Sequence, residues 1–309
     1  MSVANEKYAD DRVGIYFSQG NSITEKMLDV LCRIEKFDPD LIIDTCADYE
    51  LLGSILHKFY PIIQIPMRGT NSCTYFHKSL VGCEAQFNRE WLKFHSIPKD
   101  KVNFCSRYPY IPLKCNHERG CGRAKYGFAA NQFLISSVGN RIGIEATSDF
   151  IDAMAKLLRK HSDIVWIIAG RGTFPYIEET YSELVSSGQI RLWGYENDLD
   201  TFFIRLDIKL AISPQVGGNG GCAYKALRCG TPVLINKISG DTEHLIGWDK
   251  MIEGDYNNLI DKAEYFYNNP QALNTASTEA KERILSLPTA KEYCEQIVAI
   301  GEDIIEKWN

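Results

Sequence analysis

Nowhere in the 309 residues does an apolar run approach the ~20 residues that a membrane-crossing helix needs. The first residues, MSVANEKYADDRV, lack the apolar stretch of a secretory leader, so the expectation is a cytoplasmic protein with at most peripheral membrane contact. An excess of positive charge is also missing. The formal net charge is -6, which argues against a general nucleic-acid binder, since that task calls for a basic surface. Ten cysteines are present, but no two stand three apart, as zinc knuckles of paired C-x-x-C would require. Cys105, Cys115, His117 and Cys121 carry suitable ligand atoms without that spacing, and the expectation is free loop thiols and no metal. Internal repeats and low-complexity tracts are absent as well.

What remains is an alternation of two periods. VGIYF (13–17) reads as a buried strand, and SITE (22–25) offers a capping box to a helix whose apolar positions are Ile23, Met27, Val30, Leu31 and Ile34. A strand LIIDT (41–45), a helix near 49–59 and a strand IIQIPM (62–67) follow. From 105 to 122 the periodicity is lost, as in a linker, which puts a domain boundary near residue 128. Beyond it FLISSVG (133–139), a helix capped at Ser148, IVWIIAG (164–170), IRLWG, IKLAIS and PVLIN continue the alternation. After Asp255 the pattern is helical throughout, and TAKE (289–292) offers another capping box. Strands alternating with helices predict parallel sheets with crossover helices.

One stretch stands apart: VGGNGGCAYKALRCGTPVL (216–234), with four glycines in five positions between a strand and a helix. It matches neither G-x-G-x-x-G nor the P-loop. Its position is nonetheless where open parallel sheets bind ligands, because glycines allow close approach and the helix N-terminus favours an anion. A tight turn without a ligand is the alternative.

The run GNGGCAYKALRCGTPVLI followed by GDTEHLI resembles the donor-binding segment of GT-B glycosyltransferases, of the group 1 kind and of the cytosolic O-GlcNAc transferase and adhesin N-glucosyltransferase kinds. KYGFAANQFLISSVGNRI, IIAGRGTF and IRLWGYENDLDTFF are similar to the earlier strand ends of the same domain. The resemblance covers residues 125 to about 246 and implies an α/β fold of two Rossmann-like domains facing each other across a cleft. It implies domains at 1–127, short or incomplete on the acceptor side, and at 128–285 for the donor, with a helix at 286–309 packing back on the first. The implied activity is sugar transfer from a nucleoside diphosphate sugar, UDP-linked, to a glycan or protein acceptor, with no cofactor.

By that resemblance Arg141 neutralises the donor diphosphate, Gly194 and Tyr195 meet the base, and Gly217, Gly218, Asn219, Gly220 and Gly221 form the diphosphate turn. Glu243 is the acidic residue after the next strand. Two positions depart from the pattern. Gly217 falls where many members keep an acidic residue, and Lys225 falls where a carboxylate usually accepts from ribose hydroxyls, which a lysine cannot do. Lys225 could instead reach back toward a phosphate, since helical side chains lean toward the N-terminus. On the acceptor side the loop MRGTNSCTYFH (67–77) offers Arg68, Asn71 and His77, with His77 as a base if it faces the cleft, and Asp44 and Asp48 as rivals. A different class is also open: a non-catalytic relative that supports a partner glycosyltransferase subunit. A nucleotide-sugar epimerase is disfavoured, since no acidic and histidine set can be placed in a central cleft.

Overall fold

The computed structural model of the chain describes residues 14, 16–45, 52–65, 77–82, 93, 98–105, 109–214, 221–236 and 248–308. Helix α1 (Ile23–Phe37) starts where Ser22 predicts: Ser22 Oγ accepts from the Glu25 amide at 3.1 Å, and Glu25 Oε2 accepts from the Ser22 amide at 3.3 Å. The reciprocal pair satisfies two amides that a helix start leaves open. Gly14, Tyr16 and Phe17 belong to no strand, while residues 13 and 15 of the expected VGIYF strand lie outside the described residues.

Next come β1 (Ile42–Asp44), α2 (Leu52–Leu56), β2 (Ile62–Gln64), β3 (Lys78–Gly82) and β4 (Val102–Cys105). The four strands form one parallel sheet in the order β1-β2-β3-β4. Sequence periodicity missed β3 and β4. KSLVG opens on a lysine and VNFC is four residues long, so neither offers an alternating pattern or a long apolar run. Cys105, expected to open the linker, ends β4.

The second sheet is built from β5 (Phe133–Gly139), α3 (Ile142–Glu145), α4 (Ser148–Lys160), β6 (Ile164–Gly170), α5 (Pro175–Thr180), α6 (Ser182–Ser186) and β7 (Ile190–Gly194). It continues with α7 (Leu199–Leu206), β8 (Leu210–Ser213), α8 (Gly221–Arg228), β9 (Val233–Asn236) and β10 (Ile252–Glu253). All pairings are parallel, in the order β10-β9-β8-β5-β6-β7. The central strands are covered on both faces, which is why they read as nearly continuous apolar runs: Leu134, Ile135, Ile164, Val165, Trp166 and Ile167 are fully buried. Even the polar edge of the core is used, since the Trp166 indole donates to Ser137 Oγ at 3.0 Å.

The order contains one reversal. From β5 the chain steps outward to β6 and β7, then returns to β8 on the other flank of β5. At such a switch point two loops leave neighbouring strand ends in opposite directions and open a crevice.

Three helices close the chain: α9 (Tyr256–Asn268), α10 (Pro270–Leu285) and α11 (Ala290–Trp308). The second capping box is also formed: Thr289 Oγ1 accepts from the Glu292 amide at 3.2 Å, and Glu292 Oε2 accepts from the Thr289 amide at 2.8 Å. Helix α11 lies against the first sheet, with Ile297, Ile300 and Ile304 packed on Leu41, Ile63 and Ile65. Gly301 makes this approach possible, since a Cβ there would sit 2.7 Å from Leu41 Cδ2. The two passages of the chain between the sheets hold one another: the Tyr110 amide donates to the Pro288 carbonyl at 2.7 Å. From α8, Tyr224 Oη donates to the Pro109 carbonyl at 2.8 Å and Arg228 donates to the Ile111 carbonyl at 3.2 Å.

Candidate active site

Arg141 follows the C-terminal end of β5 and caps α3, so it stands on one side of the switch point. Pro214 follows β8 on the other side, and Gly221 opens α8. Gly217, Gly218, Asn219 and Gly220, the residues assigned to the diphosphate turn, lie outside the described residues, as does Glu243. Arg68, Asn71 and Asp48 do as well.

The Arg141 side chain is half exposed and already has a partner. Its Nε and a terminal nitrogen donate to Glu145 Oε1 at 3.1 and 2.8 Å. Four residues apart on α3, the two groups meet as helical neighbours do. Glu145 is only 8% exposed, and its other oxygen, Oε2, is buried without a hydrogen-bond partner among the described residues. A buried carboxylate with one oxygen unsatisfied is costly unless a cation stays beside it, and Arg141 fills that role.

Two glycines set the spacing of the loops beside Arg141. A Cβ on Gly143 would lie 2.8 Å from Gly172 Cα, and the Gly143 amide donates to the Arg171 carbonyl at 3.3 Å. The loops after β5 and β6 therefore touch backbone to backbone, which holds the Arg141 turn against the sheet end. From the second loop the Arg171 guanidinium lies over the Tyr195 ring at 4.7 Å from its centroid. Tyr195 is 48% exposed, and Gly194 before it has φ +81, a left-handed conformation that turns the chain at the end of β7. Gly194, Tyr195, Arg171, Arg141 and Gly221 thus all sit at the C-terminal ends of strands of one sheet or at the helix that follows.

Lys225 is placed differently. Its Nζ is 3.6 Å from Asp200 Oδ2, in the first turn of α7, and Arg228 donates to the same oxygen. The lysine thus fastens α8 to α7. Asp198, which caps α7, is held below the usual carboxylate range chiefly by the Thr201 hydroxyl, with Lys225 adding its charge. Beside this cluster the Cys229 thiol is pushed up to about 12 by burial and by the Asp200 charge.

His77 lies at the opposite edge of the first sheet from the one assumed for a cleft base. It precedes β3, its amide donates to the Ile62 carbonyl at 2.9 Å, and its Nδ1 accepts from the Ile62 amide at 3.0 Å. Ile62 starts β2 and His77 stands just before β3, so the ring lies at the N-terminal ends of these parallel strands, packed edge-on against Trp308 at 4.7 Å. Ligands of parallel sheets gather at the other end. Burial, then the charges of Lys101 and His57, lower its pKa below the ordinary histidine value. Asp44, by contrast, ends β1 on the C-terminal side. Of the loop thiols, Cys115 accepts from Thr201 Oγ1 at 3.8 Å and Cys121 is exposed.

Glu145, Arg171 and Asp200 are the residues that sequence reasoning passed over. Glu145 had a signal, standing four residues after Arg141 on a helical stretch. Arg171 stood inside IIAGRGTF but carried no motif of its own. Asp200 had none, because its partner is 25 residues away (the spacing from Lys225).

Comparison with known proteins defines the class first. The chain superposes on a glycosyltransferase from Rickettsia africae ESF-5 with a TM-score of 0.72 at 13% identity, over 94% of this chain and 84% of that one. On sucrose-phosphate synthase from Thermosynechococcus elongatus the TM-score is 0.70 at 13% identity, over 92% and 78%. On Anabaena HepE in complex with UDP it is 0.67 at 14% identity, over 92% and 81%. The fold is GT-B. No curated protein matches the sequence. The family model of group 1 glycosyl transferases matches residues 122–283, more than half of the chain, and the protein belongs to that family.

Proposed function

We propose that the protein transfers a hexosyl or N-acetylhexosaminyl group from a UDP-linked donor to a glycan or protein acceptor. What carries the reading is that Arg141, just after β5, and the N-terminus of α8, the helix that follows β8, stand on the two sides of the β5/β8 switch point. In the reaction the bond between the sugar C1 and the β-phosphate oxygen breaks, and an acceptor oxygen or nitrogen bonds to C1. The acceptor's proton leaves to a base or to the departing phosphate. The charge gathering on the diphosphate is the main barrier, and fixed positive groups lower it without reorganising. Arg141 and the helix dipole supply that charge, so the reading needs no divalent ion and no cofactor.

Gly194 and the exposed Tyr195 face, backed by Arg171, take the uracil base. Gly217 to Gly221 form the turn around the diphosphate, and Glu243 follows it. Lys225 keeps a fastening role, because its ammonium is held by Asp200. His77 is given no part in proton transfer, and Asp44 is the better placed acceptor-side base. The reading places the protein in the cytoplasm, where free thiols such as Cys32, Cys121 and Cys294 persist.

One observation favours a second reading. Both cations assigned to the donor, Arg141 and Lys225, already face carboxylates, which offset the charge they would offer a diphosphate. On that reading the chain is a non-catalytic subunit supporting a partner glycosyltransferase. Calorimetric titration with UDP and UDP-sugars, followed by turnover on a glycan and peptide panel, separates them. Donor binding with turnover supports the transferase, and absence of donor binding sinks it.

A further inference from the structure

The strongest unassigned feature lies at the other edge of the second sheet. A groove of about 380 Å³ runs between α10 and the N-terminal ends of β5, β8 and β9. β8 alone, four residues at ~3.3 Å each, sets this edge about 13 Å from the switch point, so the groove cannot be part of the donor crevice. Its charged lining is Arg119, Lys209 and Lys281 against the single carboxylate of Asp207. In a chain of net charge -6 this is a local reversal of sign.

The cations are gathered around one carboxylate. Asp207 ends α7 in the left-handed region at φ 52, and its carboxylate draws Lys209 to 2.5 Å, Arg119 to 3.3 Å and Arg123 to 3.5 Å. One negative charge thus holds three positive ones. Lys281 adds a fourth and has no ion-pair partner among the described residues. Its stem lies across Gly230, where a Cβ would come within 2.3 Å of Lys281 Cε. A second hollow of about 310 Å³ continues past Arg119 and Lys281 and is lined by His117 and by Arg228, which is paired with Asp200. Beside the cations the floor is apolar, from Phe133, Ile208, Phe266 and Leu273.

We infer that this groove is a second ligand site that binds a phosphate monoester, its phosphate between Arg119, Lys209 and Lys281 and its organic body on the Phe133 and Phe266 floor. Arg119 is held in place by the Asp207 carboxylate and the Cys229 carbonyl, one on each terminal nitrogen. Its remaining N–H groups with two ammoniums suit a tetrahedral oxyanion, and a monoester carries a charge of about -1.5 to -2 near pH 7. The volume lies in the range of small-molecule sites, roughly 300 to 1,000 Å³.

The test is calorimetry of the full chain with phenyl phosphate and with inorganic phosphate, each with and without excess UDP. Phenyl phosphate is expected to bind, and more tightly than inorganic phosphate, because of the apolar floor. The double variant Lys209→Met/Lys281→Met should weaken it by about tenfold or more while leaving the UDP affinity unchanged. Pelleting with phosphatidylcholine vesicles containing phosphatidic acid, lost in the double variant, would assign the phosphate to a lipid headgroup. No pelleting with phenyl phosphate binding retained would assign it to a soluble metabolite. The inference is overturned if phenyl phosphate does not bind, if the double variant binds it as the wild type does, or if UDP and phenyl phosphate exclude one another.

Discussion

The pairing of Arg141 with Glu145 sets up the most informative perturbation, Glu145→Gln. At 2.8 Å the two charges attract by about 6 kcal/mol at an effective dielectric of 20. Arg141 is 44% exposed, so solvent screening reduces what is recoverable to about 1 kcal/mol. A diphosphate arriving at Arg141 must compete with that attraction and is itself repelled by the carboxylate. Gln keeps the acceptor oxygen and removes the charge. UDP should therefore bind the variant about fivefold more tightly, read by calorimetry at low salt, with the melting temperature as the check on folding. The double variant with Arg141→Ala should lose the gain, since nothing remains to be released. Unchanged or weaker UDP binding by a folded Glu145→Gln variant would refute the claim that Arg141 meets the diphosphate.

Three further outcomes follow from local geometry. His77 Nδ1 accepts from the Ile62 amide and burial lowers its pKa, so the folded chain resists protonation that the unfolded chain accepts below the ordinary value of 6.5. The unfolded state then binds more protons, and stability should be complete above pH 6.5 and fall as the pH drops below it, by denaturant titration; His77→Gln should flatten that slope. Gly301→Val should destabilise by about 1–3 kcal/mol in urea unfolding, because Leu41 leaves no room between α11 and the first sheet. Among the described cysteines, mass-spectrometric mapping should find Cys32, Cys121 and Cys294 alkylated well before Cys229, which is buried with its thiol pKa at about 12.

Strands β5 and β6 were legible to the residue, because central strands covered on both faces are largely apolar; β7, at the sheet edge, was legible from the short run IRLWG that ends on a glycine. The capping boxes at Ser22 and Thr289 were legible because their chemistry is local, three residues from donor to acceptor. β3 and β4 were not. They are short runs of five and four residues whose composition does not mark a strand. The candidate site divides along the same line. Arg141, Gly194 and Tyr195 were named by the resemblance, and each stands just after or at a strand end. The attachment of Lys225 to Asp200 depends on how two helices pack, and the placement of His77 at the N-terminal end of β3 depends on which strands pair. Both are tertiary facts with no local signature.

The central claim is that a nucleoside diphosphate binds at the switch point between β5 and β8. Calorimetric titration of UDP onto the wild type and Arg141→Ala tests it most directly. The account predicts saturable binding by the wild type and a loss of about tenfold or more in the variant. Equal UDP affinities in the two proteins would contradict it.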